Sequence, residues 1–205
     1  MKHFEIFSVF YLSSKGGSSV NIDKGILKRC RQNEKNAFAE LFKFYQHYLF
    51  KLCFSYVHNE QEALDMLQEI YIKLYKNIGK YDDKYPFHPW IRRVAVNTCL
   101  NEKRKHTLSC IPLDSGNDDF RLEEQLASAD DTQQEIEKHE MMLIVKKHIN
   151  SLPEKQRMVV ILRYYEDLSY EEISDLMKIP LGTVKTDLHR AQNALKDRLY
   201  QAVNL

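Results

Sequence analysis

The sequence predicts an all-α protein: two small helical domains joined by a flexible acidic linker. Three observations carry this expectation. Apolar residues recur at spacings of three and four almost throughout, the period of an amphipathic helix, and nothing in the chain suggests strands. Six glycines and five prolines are few for 205 residues. Between two periodic blocks, residues 107–140 hold ten carboxylates against only Arg121 and Lys138, a net charge of −8. The first half of that stretch, LSCIPLDSGNDD, has turn residues and no period, which is the composition of a linker.

Residues 1–22 read as a disordered N-terminal extension. A lysine, a short apolar run and then small residues outline a secretory signal, but Glu5 interrupts the run and no A-x-A-like cleavage site follows.

The first helical domain spans 23–106. One helix is carried by Ala37, Phe38, Leu41, Phe42, Tyr45, Leu49, Leu52, Cys53 and Tyr56. A second uses Ala63, Leu64, Leu67, Ile70, Tyr71, Leu74, Tyr75 and Ile78, with Gly79 as its stop. A third starts near Pro89, buries Ile91, Val94, Ala95 and Thr98, and ends in the basic run NEKRKH.

The second domain spans 141–205. Ser151 with Glu154 and Ser169 with Glu172 are spaced as capping boxes, and Leu168 and Ile173 as a hydrophobic staple. A helix over 169–177, the break KIP and a helix over 181–198 form a helix-turn-helix.

Bulk properties narrow the function. The length suits two small domains. A net charge of +1 excludes a uniformly basic nucleic-acid binder but leaves room for basic patches offset by the acidic connector. No run approaches the roughly 18–20 apolar residues that span a bilayer, so no membrane insertion is expected. None of the four cysteines is spaced as C-x-x-C, and Cys53 and Cys99 sit in apolar-periodic stretches. They read as small core residues of an intracellular protein rather than a disulfide or zinc framework. Enzyme signatures are missing: the eight histidines are scattered, and there is no H-E-x-x-H, glycine-rich phosphate loop or G-x-S-x-G. Most carboxylates lie in the connector, where no core could desolvate them. A non-enzymatic protein with no metal and no cofactor is expected.

Three polar constellations remain. The last helix buries Leu181, Val184, Leu188, Ala191 and Leu195 and turns outward Gly182, Lys185, Thr186 and His189, flanked by Thr183 and Arg190. A small, hydroxylated and basic face suits the major groove, where the second helix of this motif lies. The competing reading is an ordinary helical hairpin with a solvated face. Asp187 falls on the shoulder of the apolar stripe, away from the polar face. In YDDKYPFHPWIRRVAVNTCLNEKRK, Tyr81, Tyr85, Phe87 and Trp90 precede a helix bearing Arg92, Arg93, Asn97, Asn101, Lys103, Arg104 and Lys105. Rings beside cations suit unpaired bases and backbone. Equally, the aromatics could be core and the basic run a favourable helix end. The outward face of ALDMLQEIYIKLY shows Glu62, Asp65, Gln68, Glu69 and Lys73, and its charges alone mark it as nothing more than solvated.

Together these stretches resemble the extracytoplasmic-function sigma factors, small bacterial transcription-initiation subunits of the sigma-70 family. LPEKQRMVVILRYYEDLSYEEISDLMKIPLGTVKTDLHRAQNAL resembles the family's region 4, EALDMLQEIYIKLY its polymerase-binding helix of region 2, and FHPWIRRVAVNTCLNEKRK its melting and minus-ten-reading segment. The resemblance implies that region 2 fills 23–106 and region 4 fills 141–205. It implies that Asp65, Gln68 and Glu69 dock on the clamp helices of the largest subunit of core RNA polymerase. Trp90, Arg92, Arg93, Asn97, Lys103, Arg104 and Lys105 would melt and read the minus-ten element. Gly182, Thr183, Lys185, Thr186, His189 and Arg190 would read the minus-thirty-five element, with region 4 beside the flap of the second-largest subunit. The further partners implied are promoter DNA and an anti-sigma factor, in a bacterial cytoplasm. Four positions depart from the family pattern: Val96, Asn101, Asp187 and Gln192 stand where Arg, Asp, Arg and Arg are usual. The rival reading is a stand-alone helix-turn-helix regulator, which leaves the melting segment and the region 2 helix unexplained.

Overall fold

The computed structural model describes residues 22–109, 144, 145 and 147–203, with side chains for all of these except 102–109 and 197–203. The N-terminal extension and the acidic linker lie outside the described residues.

All regular structure among the described residues is helical. The first domain opens with α1 (Lys24–Arg31), which the apolar pattern does not announce. Asp23 caps it by accepting from the Gly25 N–H at 2.9 Å, and only Leu27 and Cys30 are buried. Arg29 anchors it to the next helix through Glu40 at 2.8 Å, and Arg31 reaches Asp83 and the Tyr81 carbonyl.

The long helix α2 (Lys35–Val57) is the hub of this domain, and α1, α3 and α4 all pack on it. Ala37, Leu41, Leu49, Leu52, Cys53 and Tyr56 are fully buried along its inner face, as their spacing requires. It ends at His58, whose left-handed backbone (φ 54°) returns an N–H to the Phe54 carbonyl at 2.8 Å.

Helix α3 (Glu60–Asn77) starts at once. Asn59 accepts from the Glu62 N–H at 2.9 Å, with Glu60 and Glu62 in the positively polarised first turn. A 3-10 turn, Ile78–Lys80, carries the chain past Gly79.

Helix α4 (Phe87–Ser109) begins two residues ahead of the expected start, with Pro89 tolerated in its first turn because no N–H is needed there. The loop before it is pinned by an aromatic cluster: Phe87 lies 5.5 Å from Tyr45 and 5.0 Å from Tyr81, and Trp90 lies 5.4 Å from Phe87.

In the second domain, helical residues at 144–145 and 147–150 lead to α5 (Glu154–Tyr164). The expected capping box at Ser151 does not form: the Ser151 hydroxyl donates to the His148 carbonyl at 2.7 Å, and the helix starts after Pro153. Proline disfavours helical backbone at the residue before it, Leu152, which pushes the start downstream. The second box does form. Ser169 accepts from the Glu172 N–H at 3.2 Å and the Glu172 carboxylate accepts from the Ser169 N–H at 2.8 Å, which holds that carboxyl below its usual range. It opens α6 (Tyr170–Met177). The turn that follows runs through Lys178, with φ 54°, and is tied by the Ser174 hydroxyl donating to the Ile179 carbonyl at 2.6 Å. Helix α7 (Leu181–Val203) completes the helix-turn-helix.

Helix α5 is unusual for a surface helix: the consecutive residues Met158, Val159, Val160, Ile161 and Leu162 are all buried. Five in a row cover every side of a helix. Helices α6 and α7 cover part of this surface, and α2 and α4 of the first domain cover the rest.

Candidate nucleic-acid interface

The helix-turn-helix aims α7 as its sequence stripe requires. Val184, Leu188, Ala191 and Leu195 are buried against α5 and α6, and Leu181 is partly so. Gly182, Thr183, Lys185, Thr186, His189 and Arg190 are all exposed, forming one continuous basic and hydroxylated surface. Asp187 is turned inward and only 9% exposed, so the one carboxylate of the helix's first two turns is withdrawn from that surface. The Thr186 hydroxyl donates to the Gly182 carbonyl at 2.8 Å, leaving its lone pairs outward. Gln192 donates to the Tyr164 hydroxyl at 2.6 Å and so ties α7 to α5.

Gly182 answers no steric demand of the fold, since a Cβ there would meet nothing within 4 Å. A helical glycine costs about 0.5–1 kcal/mol relative to alanine. The open space above it leaves this backbone free for close approach by a molecule outside the chain. If duplex DNA lies on this face, Gly182→Ala is expected to raise stability by about 0.5–1 kcal/mol while weakening DNA binding. A thermal melt and a titration of labelled duplex read the two effects, and a variant that gains stability with unchanged DNA affinity places the duplex away from this backbone.

Helix α4 carries the second surface. Ile91, Ala95 and Thr98 face inward, and Lys73 of α3 donates to the Thr98 hydroxyl at 3.2 Å. Arg93, Asn97 and Asn101 are exposed at spacings of four, with half-buried Trp90 one turn before Arg93. Of the four aromatics ahead of them, Tyr81 and Phe87 are core, and Tyr85, at 69% exposed, is open. Trp90 is partly exposed while resting on Tyr81 and Phe87. The rings able to stack on bases thus reduce to Tyr85 and Trp90.

Arg92 does not join this stripe. It points to the other side of α4 and pairs with Glu166 of the second domain at 3.3 Å. The side chains of Lys103, Arg104 and Lys105 lie outside the described residues.

The third surface is the outer face of α3. Asp65 and Gln68 are exposed and Glu69 partly so, with Gln61 donating to Asp65 at 3.3 Å. Lys73 does not share that face, because it is drawn inward to Thr98. Leu64 and Tyr75, expected in the core, are exposed, and so is Ile72, whereas Met66 is buried. The helix is therefore rotated from the expected stripe, and its acidic residues share a face with uncovered apolar ones. Such a mixture is what protein-binding surfaces use.

Residues 41–108 match the family described as Sigma-70 region 2, and residues 143–195 match Sigma-70, region 4. The chain is 32% identical over 178 residues to the ECF RNA polymerase sigma factor SigW of Bacillus subtilis (strain 168), which covers 84% of this chain and 94% of that protein. It is 30% identical over 182 residues to the ECF RNA polymerase sigma-E factor of Escherichia coli (strain K12), covering 86% and 94% respectively. Among solved structures, the sigma factor RpoE of Bartonella quintana, in complex with the anti-sigma factor NepR, superposes with a TM-score of 0.58 at 19% identity, covering 80% of this chain and 96% of that one. CnrH, in complex with the cytosolic domain of CnrY, gives 0.56 at 17% identity, covering 87% and 97%. These two likenesses concern the fold. With regions 2 and 4 matched in order and identity sustained along most of the chain, the protein belongs to the ECF RNA polymerase sigma factors, non-enzymatic transcription-initiation factors of the sigma-70 family.

Proposed function

We propose that this sigma factor docks on core RNA polymerase through Asp65, Gln68 and Glu69 of α3, on the clamp helices of the largest subunit. It holds the melted minus-ten strand along Trp90, Arg93 and Asn97 of α4, continued by Lys103, Arg104 and Lys105. It reads the minus-thirty-five duplex through Gly182, Thr183, Lys185, Thr186, His189 and Arg190 of α7, with region 4 at the flap of the second-largest subunit. Arg92 belongs with the melting helix by position and becomes available to DNA only when its partner Glu166 is removed. The observation that carries this reading is the outward face of α7, wholly exposed and free of carboxylate because Asp187 is buried. A duplex backbone requires that arrangement, since every added negative charge opposes phosphate.

Region 2 is assigned to 23–106, the linker to 107–140 and region 4 to 141–205. An anti-sigma factor as further partner is supported by RpoE of Bartonella quintana, a sigma factor of the same fold held in complex with NepR. A place in the bacterial cytoplasm follows from the work of the family, and no described helix is long and apolar enough to cross a membrane.

Docking is tested on α3. Asp65→Arg, or Gln68→Ala with Glu69→Arg, is expected to weaken binding to purified core polymerase by about tenfold or more, as reversal of an interface charge does. Both changes lie on the surface, where folding is little affected, so circular dichroism should stay native. Wild-type affinity for core in the charge-reversed chain would remove the docking role from this face.

A further inference from the structure

Helix α1 precedes residues 41–108, the stretch matched to Sigma-70 region 2. Three of its residues serve the fold: Leu27 and Cys30 are buried, and Arg29 grips Glu34 at 3.1 Å and Glu40 at 2.8 Å. Its last residue, Arg31, turns instead to the loop between the 3-10 turn and α4. Nη1 donates to the Asp83 carboxylate at 3.2 Å, and Nη2 donates to the Tyr81 carbonyl. The guanidinium carbon lies 5.5 Å from the centre of the Tyr81 ring.

Tyr81 is the point on which that loop rests. It is 5% exposed, with Phe87 at 5.0 Å and Trp90 at 5.5 Å from its ring. Its hydroxyl donates to the Tyr85 carbonyl at 2.5 Å. Asp82 closes the turn between them: its carboxylate accepts from the Lys84 N–H at 3.1 Å and its carbonyl from the Tyr85 N–H at 3.2 Å. Residues 82–86 are all exposed, so the loop has no buried side chain of its own and takes its position from Tyr81. The two rings able to meet bases, Tyr85 and Trp90, therefore depend on one buried tyrosine, the first through a hydrogen bond and the second through ring contact. Arg31 holds that tyrosine by its carbonyl and by its ring face.

We propose that Arg31 is a positioning residue for base selection at minus ten, acting through Tyr81 to fix where Tyr85 and Trp90 stand. The proposal rests on the reading above, in which the melted minus-ten strand lies along the start of α4. A side chain carried on a loop is held less precisely than one on a helix and needs a supporting shell. Arginine suits the task. Its planar fork spans a carbonyl and a carboxylate while its face meets a ring, which the point charge of a lysine cannot do at once. The Asp83 arm is the lesser one, because that carboxylate is 63% exposed and an ion pair in water contributes little. The carbonyl and ring contacts on buried Tyr81 carry the position. Misplacing a reacting or reading group by about 1 Å can cost about 100-fold. A loosened Tyr81 should therefore blur the choice of base before it weakens the fold.

The test compares open-complex formation by holoenzyme, made from the full-length chain and purified core polymerase, on a mapped promoter and on single-base changes through its minus-ten element. Arg31→Met keeps the apolar stem and removes the fork. It is expected to lower the preference for the favoured base at one minus-ten position by about tenfold, with preferences at minus thirty-five and affinity for core unchanged. Tyr81→Phe keeps the ring and loses the hydroxyl that holds Tyr85, so it should blur the same position. Adding it to Arg31→Met should change little more, since both act along one chain of contacts. Arg31→Lys should fall between wild type and Arg31→Met. A merely structural role would lower opening equally on every promoter. Such a uniform loss, or preferences intact in a natively folded Arg31→Met, overturns the proposal. Should Arg31→Met lose helix content, Arg31→Lys and Tyr81→Phe are read in the same way. Tyr85→Ala and Trp90→Ala separate this proposal from the reading beneath it. If either blurs a minus-ten position and Arg31→Met blurs none, the minus-ten reading stands and the role of Arg31 falls. If neither blurs any position, the rings are not at the bases and both fall together.

Discussion

Asn97→Ala in holoenzyme is expected to reduce open-complex formation by about 100-fold while leaving initial promoter binding close to wild type. Asn97 is exposed at the centre of the α4 stripe, between Arg93 and Asn101, with the core face of the helix behind it. A base drawn out of the stack costs a few kcal/mol and must be held by polar contacts. Removing one such contact penalises the melted state and spares the duplex-bound one. The amide is a surface group, so stability should shift by no more than about 0.5 kcal/mol. Permanganate reactivity of unpaired thymines reports the melted state directly, and undiminished reactivity in the variant would take Asn97 out of the melting surface.

On α7, two kinds of loss should separate. Lys185→Ala is expected to weaken binding about equally on all sequences and to lower the salt slope by about one unit, the signature of a lost phosphate contact. A lysine is a flexible point charge suited to that task. Arg190→Ala is expected to lose about 1–3 kcal/mol on the preferred promoter and to relax preference at one position, because a guanidinium can grip a base edge with two bonds. Asp187→Ala serves as the internal control. Its side chain is buried on the packing side, so its effect should fall on thermal stability, with DNA preference unchanged. Promoter binding by each holoenzyme, across a salt series and single-base promoter changes, reads all three. Altered base preference in Asp187→Ala, with none in the other two, would mean that α7 presents a different face to the duplex.

Much of this architecture is legible in the sequence because helical period alone tells which side of each helix is dry. The α7 stripe, the inner face of α2 and the Ser169–Glu172 box all follow from local spacing. Helix α1 escaped because eight residues with two buried side chains hardly register as a period. The box at Ser151 failed because Pro153 overrides a capping pattern written around it. On α3, Leu64 and Tyr75 mislead because apolar character alone does not mean burial: both lie exposed, beside the buried stripe of Ala63, Leu67, Ile70 and Leu74.

Arg92 is the most instructive residue. By sequence it sits beside Arg93 and shares its chemistry, but successive helical positions point about 100° apart, and its partner Glu166 lies 74 residues away. No local rule pairs them. The run MVVIL in α5 did hold a signal, since five consecutive apolar residues cannot all be covered by one side of a small domain.

Footprinting of the chain on a promoter, with and without purified core RNA polymerase, tests the central claim most directly. The promoter is one mapped from run-off transcripts made with this chain and core enzyme. The sigma-factor account predicts protection over both promoter elements, with melting near minus ten, only when core is present. A sequence-specific footprint by the chain alone, symmetric about a palindrome and unaltered by core, would contradict it and identify a stand-alone regulator.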